Sequence, residues 1–530
     1  MTGTPHAAMT RRALLRMIGT VAGGSVMYQA MARLAIAGES DFRAPLSLGG
    51  GGKGASVLIL GAGLAGMSAA YELRNAGYRV RILEYNDRPG GRTWTLYGGD
   101  TYTELGGATQ HVQFDQGLYF NPGPWRIPHN HHALLHYCRV LNVALEPFTQ
   151  VNYDAYVHST TAFGGTPQRY RTVHADFNGH VAELLAKCVN QGALDAAVTR
   201  EDREVLLDAM RIWGALDKNY EYRKGLMTSG RRGYDTDPGG GLDPAPVPSD
   251  PIALGDLMHS RLWASIAAGH SYDLQSTLFQ PVGGMMMIAR AFARELGPVI
   301  EYNCKVTEIR QSESGVTVAY TDTKSGGPPR EAHSEWCVCT IPASILGQIP
   351  MTVGAPMQNA ISALSYGASA KVGLQFKRRF WEQDESIYGG ITYTDQVNSV
   401  IGYPNTGYMS PKGVLLGAYA FGPNAFAFTA MSPEERIARA LECGAKIHPQ
   451  YPAEFETGAA VAWHRVPGAM GCAATWDNAL RAQHYDNLCA IDGRIVLAGE
   501  HASRIPAWQE GALLSSLDAV RRLHQRVASA

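Results

Sequence analysis

The run Ser56-Val57-Leu58-Ile59-Leu60-Gly61-Ala62-Gly63-Leu64-Ala65-Gly66 leaves little freedom for the start of the fold. Apolar residues from Val57 to Leu60 read as a strand of the kind buried in a parallel sheet. Leu64 to Ala76 has apolar residues at helical spacing, Gly77 suits a helix C-terminus, and Arg79-Val80-Arg81-Ile82-Leu83 reads as a second strand ending at Glu84. The glycines between strand and helix have three separate roles. Gly61 permits the tight turn, Gly63 lets a pyrophosphate approach the backbone, and Gly66 lets the helix pack closely. Ala65 belongs to the same loop, and Glu84 stands where a carboxylate accepts both hydroxyls of a ribose. Strand, loop, helix, strand and acid in this order predict a Rossmann-like α/β unit binding a dinucleotide through Gly61, Gly63, Ala65, Gly66 and Glu84.

Charge narrows the partners. A formal net charge of -1 over 530 residues, with Lys and Arg scattered, gives no footprint for nucleic acid and points to a small molecule. The first residues read as an address label. Thr10-Arg11-Arg12-Ala13-Leu14-Leu15-Arg16 resembles a twin-arginine export signal, and Ala35-Ile36-Ala37 a signal-peptidase site, so cleavage after Ala37 is expected, with a mature start outside the cytoplasm. That cut removes Arg11, Arg12, Arg16 and Arg33 and no acid, leaving a mildly acidic chain. Its apolar part is interrupted by Gly, Ser, Gln and Arg33, so no stable membrane anchor is expected. Residues 45–55, with Gly49 to Gly52, read as a flexible lead-in before order begins at Ser56. The eight cysteines show no CxxC or zinc-type pairing. Cys337 and Cys339 point to one face of a strand, where they cannot easily bridge. His129, His131, His132 and His136 invite a metal reading, but no carboxylate or cysteine ligand lies near them in sequence, and no metal is expected.

Two further pieces favour FAD over NAD. Arg88-Pro89-Gly90-Gly91-Arg92-Thr93 gives a second glycine pair at which backbone can approach a cofactor, and Arg92 can offer its guanidinium to a pyrophosphate. Near the C-terminus, Arg494-Ile495-Val496-Leu497-Ala498 is strand-like and delivers Gly499 and Glu500, the latter toward ribityl hydroxyls. A helix from Glu510 would direct its N-terminal dipole at the flavin N1 and C2 carbonyl.

Together the Gly61 loop, Arg88 to Thr93 and Gly499-Glu500 resemble the flavin-containing amine oxidase superfamily, most closely its bacterial L-amino-acid oxidases, over nearly the whole chain after residue 55. The resemblance implies a Rossmann-like FAD-binding domain (55–106, 276–362 and 490–530) interleaved with an α+β substrate-binding domain (107–164 and 363–489) and a helical subdomain (165–275). It also implies that Gln280-Pro281-Val282-Gly283-Gly284-Met285 opens a helix of the FAD domain, that Val306 contacts adenine through its backbone, and, by family habit, a homodimer.

Substrate class has to come from the site, since one scaffold serves amines and amino acids. Gly123-Pro124-Trp125-Arg126-Ile127-Pro128 resembles the segment of L-amino-acid oxidases whose arginine grips the substrate carboxylate; a planar guanidinium pairs with a carboxylate bidentately. Gly123 and Trp125 are implied at the cofactor. Tyr403 resembles the tyrosine that adds a second bond to that carboxylate, and Lys371 the lysine that holds a water near flavin N5. Trp508, after Ala507, resembles the aromatic wall beside the flavin. Trp463 is a weaker second wall and reads better as core. Trp125, Tyr388 and Trp508 suggest an aromatic or large apolar side-chain pocket. The implied reaction is oxidation of an L-amino acid by O2 to a 2-oxo acid, ammonia and hydrogen peroxide. Gly106-Gly107-Ala108-Thr109-Gln110 leaves a rival open: with Gln110 facing the flavin in place of Arg126, the substrate would be a primary amine or polyamine. An amino-acid monooxygenase is the other alternative.

Overall fold

A computed structural model describes residues 40–49, 52, 54–192 and 198–529. The twin-arginine segment and the expected cut after Ala37 lie outside them. Ser56–Leu60 forms β1, Leu64–Asn75 forms α1 and Arg79–Leu83 forms β2. β1 lies at the middle of a six-stranded sheet ordered Ile300–Glu301, β2, β1, Trp336–Cys339, Ile495–Leu497, Ile491–Asp492. All neighbours run parallel except the last pair. Both faces are covered, so Val57, Leu58, Ile59 and Leu60 are each at most 1% exposed. A fully buried aliphatic side chain contributes about 1.5–3 kcal/mol, which makes this strand the anchor of the fold. Cys337 and Cys339 sit in its neighbour as buried free thiols.

Three stretches of chain distant in sequence therefore supply one sheet. Cys304–Gln311 and Val316–Asp322 pair antiparallel beside it, as their alternation predicts. Met286–Leu296 is a helix directly after Gly283-Gly284, packed on α1.

The lead-in differs from expectation. Ser40 is buried and its hydroxyl donates to Glu510, while Leu46 and Leu48 pack against the core of the sheet domain. Apolar side chains at 42, 46 and 48 give this stretch something to bury, which outweighs the glycines that follow.

Helix α2 (His132–Val140) and the long helix Tyr170–Asn190 follow the first unit. The latter is pinned by a buried ion pair in which Arg232 Nε donates to Asp176 at 2.7 Å; Tyr222 donates to the same carboxylate at 2.8 Å. A second sheet of seven strands carries β3 (Ser369–Phe376) and β4 (Gly413–Phe421) side by side and antiparallel. All eight residues of β3 are buried, Lys371 included. The C-terminal helix α3 (Gln509–Ala528) returns to pack on α1, where the Ser68 hydroxyl donates to Ser516 at 2.9 Å and the Ser516 hydroxyl donates to the Ala65 carbonyl at 2.8 Å. No helix among the described residues is long and apolar enough to cross a membrane.

Candidate active site

At the C-terminal end of β1 the chain opens a cleft in two compartments that share Gly63, Arg92, Thr340 and Trp463. The first is lined by Gly61, Glu84, Arg88, Gly91 and Val306. The second, with about 800 Å³ of empty space, is lined by Ala65, Gly123, Tyr419, Gly499, Glu500, Ala507, Trp508 and Gln509. A dinucleotide laid along this path puts its adenosine in the first and its flavin in the second, with the pyrophosphate at the shared neck.

The neck fits that group. Gly63 has no atom within 4 Å of where a Cβ would stand, and Gly91 would meet only the Gly63 Cα. Backbone is thus exposed on both sides at the N-terminus of α1, where orphan N–H groups and the helix dipole favour an anion. Gly66 serves packing instead, since a Cβ there would lie 2.0 Å from the Gly61 carbonyl oxygen, and only glycine lets α1 start this close to its own loop. Glu84 accepts from the Ala62 N–H at 2.5 Å and the Asn86 N–H at 2.9 Å, which fixes its carboxylate at the compartment wall. Burial raises its pKa despite those bonds.

Arg92 donates to Glu500 at 2.6 Å and to the Cys472 carbonyl at 2.9 Å. Glu500 also accepts from the N–H groups of Ala474 and Ala507. Burial alone would push the Glu500 carboxyl up; Arg92, His501 and these donors bring it below its ordinary value. Arg92 thus reaches the neck as half of an ion pair. Trp508 is the N-cap residue of α3 and Ala507 before it has φ 68°, so the turn aims the helix N-terminus and the indole into the second compartment. Trp463 is core and wall at once: it is 2% exposed, donates to the Pro122 carbonyl at 2.8 Å, and lines both compartments.

Behind the flavin compartment lie two buried basic side chains. Lys371 donates to the carbonyls of Gly123 at 2.5 Å and Asn121 at 3.2 Å, and its Nζ stands 4.1 Å from the Tyr419 ring centroid. Burial, reinforced by Arg126, lowers its pKa well below that of a free lysine. Arg126 is 6% exposed, its Nε has no hydrogen-bond partner, and it makes no ion pair among the described residues. Burial lowers its pKa also, with Tyr419, Tyr393 and Asp273 opposing. A guanidinium stays charged regardless.

Three expectations are corrected. Tyr403 is not beside Arg126: its hydroxyl is held between His448 Nε2 at 2.7 Å and Thr392 Oγ1 at 2.8 Å within the core of the second sheet. The tyrosine at the site is Tyr419, paired in register with Lys371 across β3 and β4. Trp125 lines neither compartment; its indole fills the space above Gly402 in a neighbouring cleft that also contains Tyr403. Tyr388 is 41% exposed and packs against Tyr408, away from both compartments. Gln110 lines neither compartment; its side-chain amide donates to the Ala460 carbonyl at 2.7 Å and accepts from the Ala460 N–H at 2.9 Å. The histidines at 129–136 surround no metal-type cluster among the described residues.

Comparison with known proteins agrees with this geometry. Residues 64–524 match the model of flavin-containing amine oxidoreductases. An L-amino-acid oxidase of Siganus canaliculatus is 28% identical over 474 residues, covering 89% of this chain and 85% of its own length. That of Vipera ammodytes ammodytes is 26% identical, with 88% and 92% covered. In fold, putrescine oxidase bound to putrescine superposes with a TM-score of 0.56 at 20% identity, covering 90% of this chain and 98% of its own. The chain belongs to the flavin-containing amine oxidoreductase family, with FAD as its cofactor and a CH–NH2 bond as the bond it oxidises with oxygen.

Proposed function

We propose that the protein is an L-amino-acid oxidase, and the observation that carries this is Arg126. A buried guanidinium with no anionic partner costs free energy, and a substrate α-carboxylate provides the planar, bidentate partner it lacks. Plain amines carry no such group. Gln110, the residue that favoured them, holds the Ala460 backbone and lines neither compartment, which supports the amino-acid reading.

FAD, when bound, would supply the two-electron acceptor for the Cα hydride, with O2 as the final oxidant. Gly61, Gly63, Ala65, Gly66, Gly91, Arg92 and Val306 would hold its adenosine and pyrophosphate side, with Glu84 at the ribose. Gly123, Gly499, Glu500, Ala507 and Trp508 would stand around its flavin side. Arg126 and Tyr419 orient the carboxylate and so set the direction of the Cα hydrogen. Lys371, with its pKa pulled down by burial, gives up its proton more readily than a free lysine, which suits it to hold a water and take a proton from the substrate ammonium. Trp508 and Trp463 exclude solvent. The imine then hydrolyses to a 2-oxo acid and ammonia.

The twin-arginine motif supports export of the folded, FAD-loaded protein, and N-terminal sequencing of secreted material checks the cut after Ala37. For the activity, peroxide release by the purified flavoprotein is measured with L-amino acids, their D-forms and simple amines, alongside Arg126→Ala. Loss of two or more orders of magnitude in kcat/KM on L-amino acids is expected for the variant. Unchanged kinetics would refute the clamp, and an amide in place of a 2-oxo acid would make the enzyme a monooxygenase.

A further inference from the structure

The segment after Arg126 carries an unusual run of buried polar atoms with no partner among the described residues: Arg126 Nε, His129 Nδ1, Asn130 Oδ1 and His131 Nε2. Asn130 and His131 are each only 1% exposed. Leaving a buried donor or acceptor unpaired costs about 1–3 kcal/mol, so several along one short stretch mark a surface that a polar ligand completes. One end of the run meets the flavin compartment, where the His131 ring stands edge-on to Trp508 at 4.9 Å. The other end meets an acid. Asn130 Nδ2 donates to Asp273 Oδ1 at 2.8 Å, and the His129 ring lies 5.5 Å from that of Tyr272. Asp273 is itself 2% exposed and forms no ion pair among the described residues. Burial raises its pKa, with the hydrogen bond from Asn130 and the charges of His129 and Arg126 opposing.

We propose that this row is the side-chain subsite and that it selects L-amino acids with cationic, hydrogen-bond-donating side chains, Asp273 providing the counter-charge and Asn130 Oδ1 a second acceptor. The proposal rests on the amino-acid reading of Arg126. With Arg126 committed to the α-carboxylate, Asp273 is the next acid along the wall; it makes no ion-pair contact among the described residues, and a cation brought against it offsets the cost of its burial. An aliphatic or aromatic side chain would leave Asp273 and Asn130 Oδ1 unpaired, and an acidic one would face like charge. Sites built to hydrogen-bond a side chain discriminate strongly against substrates that lack the donor. The arrangement replaces the apolar pocket that the sequence suggests.

The test is kcat/KM for peroxide release by the FAD-loaded enzyme with L-arginine, L-lysine and L-ornithine against L-leucine, L-methionine and L-phenylalanine, for the natural protein and Asp273→Asn. The natural enzyme is expected to favour the cationic group by at least about tenfold. Asp273→Asn is expected to raise KM for that group by at least about tenfold while leaving L-leucine within about threefold, which a purely structural role for Asp273 would not do. A natural enzyme that prefers apolar amino acids overturns the proposal, even where the variant fails to load FAD. So does a variant that loses both groups equally. Oxidation of simple amines but no amino acid instead overturns the underlying reading, and this inference with it.

Discussion

Arg92 and Glu500 lie 408 positions apart in sequence and form a part-buried ion pair, Nη1 to Oε1 at 2.6 Å, at the neck of the cofactor cleft. The pair ties the chain that follows β2 to the chain that follows Ile495–Leu497, two strands of one sheet. It also explains why neither residue is free to serve the cofactor alone: Glu500 holds Arg92, and Arg92 keeps Glu500 ionised in a site where burial would protonate it.

Glu500 is buried and Arg92 only part-buried, so removing the guanidinium leaves an uncompensated carboxylate at a cost below the roughly 3–5 kcal/mol of a fully buried pair. Arg92→Ala is therefore expected to purify with much less bound flavin and a melting temperature several degrees lower, whereas Glu500→Gln, which keeps shape and hydrogen bonds, is expected to lose less. Flavin absorbance per protein and thermal melts check this. Full flavin content with an unchanged melt in Arg92→Ala would contradict it.

The two tyrosines are separable by substitution. Tyr403→Phe removes a hydroxyl held by His448 and Thr392, so it is expected to cost about 1–2 kcal/mol of stability while leaving kcat/KM within about twofold. Tyr419→Phe removes the hydroxyl proposed to meet the substrate carboxylate, a charge-assisted bond of about 1.5–3 kcal/mol. It is expected to raise KM for amino acids by roughly ten- to a hundredfold. Steady-state kinetics with urea melts on both variants decide, and the reverse assignment would restore Tyr403 to the site.

The contrast between these tyrosines shows which parts of the molecule the sequence makes legible. The Gly61 loop and the strands beside it follow from contiguous residues, since strand, turn and helix are local matters of alternation and glycine. Glu500 and Arg92 are legible singly, but their pairing is not, because no spacing announces a contact across most of the chain. Tyr419 lies on β4, and Tyr403 directly follows the neighbouring strand Val400–Gly402. Which of them faces Lys371 depends on a register that includes an irregularity between Val372 and Gly373, and no local pattern records it. The one local hint is that Tyr419 stands between Ala418 and Ala420, small residues that leave a large ring room. Gln110 is ambiguous in sequence for the same reason, since the partner that occupies its amide, Ala460, lies 350 residues away.

Lys371 is expected to give the enzyme an acid limb. Burial and Arg126 lower its pKa, so the amine is neutral at pH values where a free lysine is charged, and becomes charged only as pH falls through that lowered value. If the neutral amine takes part, kcat/KM falls along that limb. Lys371→Met is expected to lower kcat by about a hundred- to a thousandfold, in the lower part of the range for a positioned proton acceptor, and to abolish the limb. A pH–rate profile on both proteins checks this; an identical limb in Lys371→Met would assign it to another group.

Acid should act on stability through His131. Its ring is buried between the flavin compartment and α2, and burial, aided by His129 and His132, lowers its pKa to about 3. His501, also buried, is lowered to about 4. An unfolded histidine titrates near 6.5, so between that value and the lowered ones the unfolded chain binds protons that the folded chain does not. Stability then falls as pH drops from about 6.5, by up to about 1.4 kcal/mol per unit for each ring, from linkage. Glu84 and Glu510 act in the opposite sense, because burial raises their carboxyls and the fold keeps their protons to higher pH than the unfolded chain. The histidine contribution is isolated by comparison with His131→Phe, which keeps a ring and cannot titrate. The natural protein is expected to lose stability relative to that variant when urea melts at pH 7 are repeated at pH 5. Parallel losses in the two proteins would show that His131 is protonated in the fold and that its burial does not govern acid sensitivity.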